Sequence, residues 1–131
     1  MTLYLRILKL DSKLKYCGCH CGQVATMQIT LVNKKDENKK RYDYRCDKHS
    51  RKGTKTYRVV NIDEFDQSWK LQKINEWLET LVGKKIMSSF HNVKTPFEVK
   101  YQKKEIGGLM CLSKYNHWKL VYAEQISQIS T

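Results

Sequence analysis

The sequence has little of the residue types that mark membrane and secreted proteins. Its 131 residues contain one proline, six glycines and no apolar run near the roughly 20 residues of a membrane helix. The apolar part of residues 1–8 is too short for a secretion signal, and no small-residue cleavage site follows it. We therefore expect neither secretion nor a membrane partner.

The cysteine content argues against a disulfide framework. Five cysteines is an odd number, and Cys17, Cys19 and Cys21 occupy alternate positions. Thiols this close along the chain cannot all pair with partners elsewhere, so metal-bound thiolates in a reducing compartment fit the pattern better. The sequence therefore predicts an intracellular protein, in the cytoplasm or the nucleus.

Acidic residues are also few, and the excess of basic charge is unevenly spread. The chain has 25 Lys and Arg against 13 Asp and Glu, a formal net charge of +12. Residues 1–60 hold 15 basic and 5 acidic residues, a net +10, whereas residues 61–131 hold 10 and 8, a net +2. Concentrated basic charge attracts polyanions by releasing counterions, so nucleic acid is the expected partner. The alternative is a merely solubilising lysine surface.

Metal-ligating residue types converge on one segment of this basic half. The segment opens Tyr16-Cys-Gly-Cys-His-Cys-Gly22 and closes Cys46-Asp-Lys-His49. Thiolates and imidazoles are the usual ligands of tetrahedral zinc, and the donors here exceed four, which favours a closed structural site for one Zn²⁺. The alternative is a group of free reduced thiols. We expect Cys21, Cys46 and His49 to be ligands. For the fourth ligand we favour Cys17 slightly over Cys19, and His20 is a weaker candidate.

The same segment resembles treble-clef and zinc-ribbon modules. The matching residues are Cys21-Gly22, Ala25-Thr26 and the closing Cys46-Asp-Lys-His49, about a quarter of the chain. The chain departs from the common pattern of these modules at the first ligand, because Gly18 stands where a cysteine would be expected.

The remaining pattern predicts an α+β fold. It comprises a zinc-stabilised β-hairpin from 24–32 and 41–46, one main helix and an antiparallel C-terminal meander over 97–124. Asn61 followed by Glu64 matches a capping box, so we expect the helix over 61–82. Residues 3–10 favour a strand, with a short helix as the alternative, and the tail after Glu124 is expected to fray. The predicted parts are a basic part, 1–60, and a helix-plus-meander part, 61–131, sharing one core.

Basic residues around the closing half of the hairpin are the candidates for phosphate contacts. A basic loop follows His49, and an aromatic residue within it can stack on a base. The alternative is a solvated linker to the next strand. The candidate nucleic-acid-binding residues are Arg41, Arg45, Lys48, Arg51, Lys52, Lys55, Tyr57 and Arg58.

Two other functional classes were weighed. The near-neutral half carries Trp69, Tyr115, Trp118 and Tyr122, which can serve a protein-interaction module. Such a module would bind and inhibit a nucleic-acid-processing complex, as small viral or mobile-element proteins do. An enzyme has less support, since Glu98-Val-Lys100 and His91-Asn92 match only fragments of nuclease motifs and no nucleophile triad or phosphate loop is present.

Overall fold

The computed structural model describes residues 2–91 and 95–130. The fold is α+β, with antiparallel sheets of three and five strands and one main helix among the described residues. The helices are α1 (Leu3–Leu8) and α2 (Ser68–Glu79). The strands are β1 (Met27–Asn33), β2 (Lys40–Arg45), β3 (Tyr57–Glu64), β4 (Lys85–Ser88), β5 (Phe97–Lys103), β6 (Gly108–Leu112), β7 (Trp118–Tyr122) and β8 (Ile126–Ser130).

The three-stranded sheet has the order β2-β1-β3, and both pairings are antiparallel. The predicted hairpin forms its β1–β2 half, with Thr30 opposite Tyr42. On the other side of β1, Val32 lies opposite Arg58. Side chains of directly opposed residues share a face, so this register decides which basic residues lie together.

The five-stranded sheet has the order β7-β6-β5-β4-β8, again antiparallel throughout. In β5, β6 and β7, Val99, Leu109 and Val121 are buried, whereas Tyr101 and Trp118 are exposed. A register shift between Val99 and Tyr101 interrupts the alternation of β5. The predicted meander over 97–124 is confirmed as β5, β6 and β7.

The main helix begins later in the chain than predicted. Residues 61–64, predicted to begin it, continue β3, and the helix begins at Ser68. The expected capping box is not formed at Asn61, whose side-chain amide donates to Asp63 instead. Pairing with β1 satisfies the backbone of residues 61–64, and that tertiary gain outweighs a local capping signal.

Three further segments differ from expectation at the chain's periphery. Residues 3–8 form a helix, the alternative to the favoured strand, and Lys9 ends it in the left-handed region with φ 55°. The segment between the main helix and the meander, for which no strand is predicted, contains β4. The tail after Glu124, which is expected to fray, contains β8. These two strands pair with each other. Local sequence does not predict such a contact between distant segments.

The described residues group into two compact units. The cluster unit is Leu14–Gln67, and the sheet unit comprises Met1–Lys13 with Ser68–Thr131. The predicted division after residue 60 falls inside β3, because that strand pairs with β1 of the cluster unit. A core shared between the parts stays a prediction. No helix in the described ranges is both long and apolar enough to cross a membrane.

Candidate metal centre and its basic surroundings

The five predicted donor side chains meet at one end of the three-stranded sheet. The ligand atoms of Cys17, Cys19, Cys21 and His49 all lie within 4.8 Å of one another. Cys46 joins them: its Sγ lies 3.8 Å from Cys21 Sγ and 3.0 Å from His49 Nδ1. The structure therefore contains a Cys/His cluster that can hold a metal ion.

Backbone hydrogen bonds shape the cysteine-rich loop. The Cys17 N–H donates to Gln23 O at 2.8 Å, which closes the loop at its base, and the His20 N–H donates to Cys17 O at 3.2 Å. His20 and Gly22 have φ values of 66° and 84°, so the chain turns sharply around the sulfurs. A left-handed residue is cheap for glycine and costly for most others, which explains Gly22. His20 is not a member of the donor group.

The loop is joined to the hairpin by β2. The Gly18 N–H donates to Tyr44 O at 2.7 Å, and β2 leads directly into Cys46. The His49 N–H then donates to Cys46 O at 3.1 Å, a tight turn that returns the imidazole to the sulfurs. The two halves of the donor set are thus fixed to one strand.

The distances between donor atoms can be compared with those around a bound zinc ion. Two sulfurs bound to one tetrahedral zinc at about 2.3 Å stand about 3.8 Å apart, the spacing of Cys21 and Cys46. The Sγ atoms of Cys17 and Cys19 are 3.1 Å apart, and Cys46 Sγ lies 3.0 Å from His49 Nδ1, so both pairs are closer than two corners of such a tetrahedron. These distances leave the choice between Cys17 and Cys19 open.

The thiols have different electrostatic environments. Burial opposes ionisation of Cys17, but the N–H groups of Cys46 and Cys19 and the neighbouring thiols outweigh it and lower its pKa to about 6. Burial raises the pKa of Cys46. The Gln23 N–H favours the Cys21 thiolate, yet desolvation and the adjacent thiols raise its pKa overall. Cys17 is thus the thiol best prepared to bind a cation as a thiolate.

A carboxylate beside the cysteine-rich loop was missed by the sequence analysis. Asp43 accepts hydrogen bonds from Arg45 Nε at 2.9 Å and Arg51 Nη1 at 3.0 Å, with all three side chains largely buried. Burial opposes ionisation of Asp43, but the two guanidinium groups lower its pKa. A Cβ at Gly18 would lie 2.7 Å from Asp43 Oδ1, so this position needs glycine. Strand alternation predicts which face of β2 carries Asp43, but its pairing with Arg45 and Arg51 depends on the tertiary structure.

The predicted nucleic-acid-binding residues fall into three groups. Arg45 and Arg51 are paired with Asp43. Arg41 lies over the Tyr57 ring at 5.2 Å, and Arg58 forms a 3.7 Å ion pair with exposed Glu37. The remaining three are exposed and form no ion pair within the described ranges: Lys48, Lys52 and Lys55. Their role in phosphate binding stays a prediction.

The aromatic residues of the interaction alternative are mostly exposed. Trp69, Trp118 and Tyr115 are 52%, 54% and 72% exposed, and Tyr122 is half-buried. Trp118 packs against Tyr101 with ring centroids 5.9 Å apart. Trp77 is buried against the core. Two of the three tryptophans are therefore more than half exposed.

Among the described residues, the donor group that could hold a metal ion includes neither Glu98 nor His91. Lys100 Nζ is engaged by Glu98 at 2.9 Å, and this exposed pair lies outside the donor group. His91 Nδ1 lies 2.8 Å from Ser88 Oγ, whereas Asn92 lies outside the described residues.

No known protein family, curated protein or solved structure matches this chain.

Proposed function

We propose that the protein is a small zinc-binding protein that binds nucleic acid through basic residues beside the metal centre. The observation that carries this proposal is the position of three exposed lysines within and directly after the closing turn of the Cys/His cluster, which form no ion pair with any described residue. Lys48 lies within the closing turn between Cys46 and His49, and Lys52 and Lys55 follow it. Because the cluster organises this segment, metal binding and the phosphate-binding surface are coupled.

The proposed zinc ligands are Cys17, Cys21, Cys46 and His49. Cys17 is preferred to Cys19 because its thiol contacts both Cys21 and Cys46. Cys17 is also the buried member of the pair. A set of three thiolates and one imidazole suits zinc and fills all four positions, which leaves the ion a structural role.

Phosphate groups are the proposed targets of the lysine segment. Exposed ammonium groups without carboxylate partners neutralise phosphates at little desolvation cost, and each contact adds to the salt dependence of binding. Arg45 and Arg51 have a different proposed role, because their charge is already balanced by Asp43. They hold the loop that carries the lysines.

The test is binding of zinc-loaded protein to fluorescent single- and double-stranded DNA and RNA across a salt series. Replacing Lys48, Lys52 and Lys55 with Glu should weaken binding and flatten the slope by about 0.7–0.9 per lost contact. The matched control reverses three exposed lysines of the sheet unit: Lys84, Lys85 and Lys104. Equal losses in both triple variants would show a non-specific charge effect and contradict the proposal.

A protein-interaction module is the second candidate, favoured by the exposed Trp118–Tyr101 pair on the five-stranded sheet. The rows Trp118-Leu112-Glu98 and Leu120-Met110-Tyr101 place apolar side chains beside this pair. Exposed aromatic side chains of this kind anchor protein interfaces. If the protein shows no salt-dependent binding but is captured by a component of a nucleic-acid-processing complex, and Trp118→Ala abolishes capture, this second function replaces the first.

A further inference from the structure

The two faces of the three-stranded sheet differ in how much of their charge is already satisfied. Directly opposed residues place Arg41, Asp43 and Arg45 on the same face as Leu31 and Ile29. On this face Asp43 pairs with Arg45 and with Arg51 of the following segment, and Arg41 packs on Tyr57. We call it the paired face, because its charged groups already have partners.

The opposite face carries Val32, Thr30 and the residues beside them. We call it the open face because the residues flanking Val32 are exposed, although Val32 itself is only 5% exposed. Lys40 and Arg58 flank Val32 on its two sides, and Tyr42 lies beside Thr30. Tyr42 is 55% exposed and Arg58 is 53% exposed at its side chain. Strands lie about 4.8 Å apart, so Lys40 and Arg58 stand about 10 Å apart across β1, with Tyr42 beside that line.

From this juxtaposition we propose that the open face is a binding site for single-stranded nucleic acid, an inference that rests on the proposed function. One base stacks on the ring of Tyr42, and the backbone phosphates on either side contact Lys40 and Arg58. An aromatic ring flanked by two cations is the combination that binds single strands with little sequence preference. A duplex keeps its bases stacked on one another, so Tyr42 has no base face to meet there.

The acidic residues near the open face do not cancel its charge. Glu37 pairs with Arg58 at 3.7 Å, but Glu37 is 84% exposed, and such solvent-exposed pairs contribute little and are readily exchanged. Asp63 lies toward the other end of the face, where the Asn61 amide donates to both of its carboxylate oxygens. A phosphate can therefore replace Glu37 as the partner of Arg58.

The far end of this face is already covered, which sets the size of the site. Tyr44, opposite Gln28, packs against Phe65 with ring centroids 5.2 Å apart, and Lys15 lies 5.3 Å from its ring centroid. Tyr42 is thus the one tyrosine of β2 left open for a base. We expect the site to hold one stacked nucleotide and the phosphates next to it.

The experiment uses the zinc-loaded full chain and an oligonucleotide that carries 2-aminopurine, whose fluorescence falls when the base stacks. Tyr42→Leu should weaken single-strand binding by roughly 5- to 150-fold and remove the quenching. Duplex affinity should stay unchanged, and Tyr42→Phe should keep the quenching. Lys40→Gln with Arg58→Gln should lower the single-strand salt slope by about 1.4.

Two controls separate this inference from the proposed function. Tyr115→Leu removes a 72% exposed tyrosine of the sheet unit and should leave binding unchanged. Zinc content and circular dichroism verify that each variant is folded. If Tyr42→Leu retains full affinity and quenching while the lysine-segment variant loses binding, the open face is not the site and the proposed function stands. If the wild-type protein binds neither strand form, both are overturned.

Discussion

The cluster unit and the sheet unit differ in how many apolar side chains they bury. Among its described residues, the sheet unit buries 15 apolar side chains, including Phe97, Trp77 and Leu78. The cluster unit, Leu14–Gln67, buries seven, and two of these are the cysteines Cys17 and Cys46. Its aliphatic core is limited to five side chains: Leu14, Ala25, Ile29, Leu31 and Val32.

The difference shows what a small basic unit needs in order to fold. A unit this short seldom buries enough apolar surface to be stable alone, and a metal ion bound at the Cys/His cluster would supply further stabilising free energy. Polar contacts add to it: the buried side chain of Gln67 accepts from the Lys15 N–H and donates to Ala25 O at 2.9 Å. We therefore expect the cluster unit to depend on its ligands and the sheet unit on its packing.

Removing one of the proposed zinc ligands should have the largest effect of these variants, and that effect should be on the cluster unit. Cys46→Ser should weaken zinc binding by more than about 100-fold, because even groups that only orient ligands are worth 10- to 100-fold. Zinc stoichiometry and circular dichroism measure the effect. Cys111→Ser makes the same atomic change at a buried thiol of the sheet unit, and it should retain one zinc per chain.

A cavity in the sheet unit should lower the stability of that unit without affecting zinc binding. Leu78 is fully buried on α2, so Leu78→Ala should lower the free energy of unfolding of that unit by about 2–5 kcal/mol. Urea unfolding measures this loss. Zinc content should be unaffected, and loss of the metal in this variant would show that the two units do not differ as described.

The Asp43 carboxylate offers a smaller, pH-resolved test. Asp43→Asn removes two charge-assisted hydrogen bonds and should cost about 1–3 kcal/mol at neutral pH. The guanidinium groups lower the pKa of Asp43 on folding, so its contribution is complete above its unfolded value of about 3.9 and is lost as the pH falls through the folded value. Urea unfolding should therefore give the same penalty from pH 6 to pH 8; a penalty that changes within this window would exclude the lowered pKa.

The smallest effect is expected at the exposed pair of Glu37 and Arg58. Glu37→Gln should change the free energy of unfolding by less than about 0.5 kcal/mol, because both side chains are mostly in solvent. It should nevertheless strengthen single-strand binding slightly, since Arg58 is released. Weakened binding in this variant would argue against phosphate contact at Arg58.

Much of this arrangement could be predicted from local sequence. The spacing of the cysteines and His49 predicted a metal cluster, and all five donors do meet. The sequence pattern predicted β5, β6 and β7 as a meander and a helix over 61–82 that contains α2, because local periodicity reflects the face that each element buries.

What could not be predicted depends on contacts between distant segments. The strand over residues 61–64 is fixed by pairing with β1, and β4 and β8 are fixed by pairing with each other. The neutralisation of Arg45 and Arg51 by Asp43 likewise required the fold. The sequence does not distinguish Arg45 and Arg51 from the lysines proposed to bind phosphate. The difference lies in their partners in the folded chain, because the two arginines pair with Asp43.

The most direct test of the central claim is hydrogen exchange of the zinc-loaded chain before and after chelation. The account predicts that β1 and β2 lose their protection when zinc is removed, whereas β5 and β6 keep theirs. Zinc restored to the chelated sample should restore protection in β1 and β2. Unchanged protection of β1 and β2 in the metal-free protein would contradict the claim that a structural metal holds the cluster unit together.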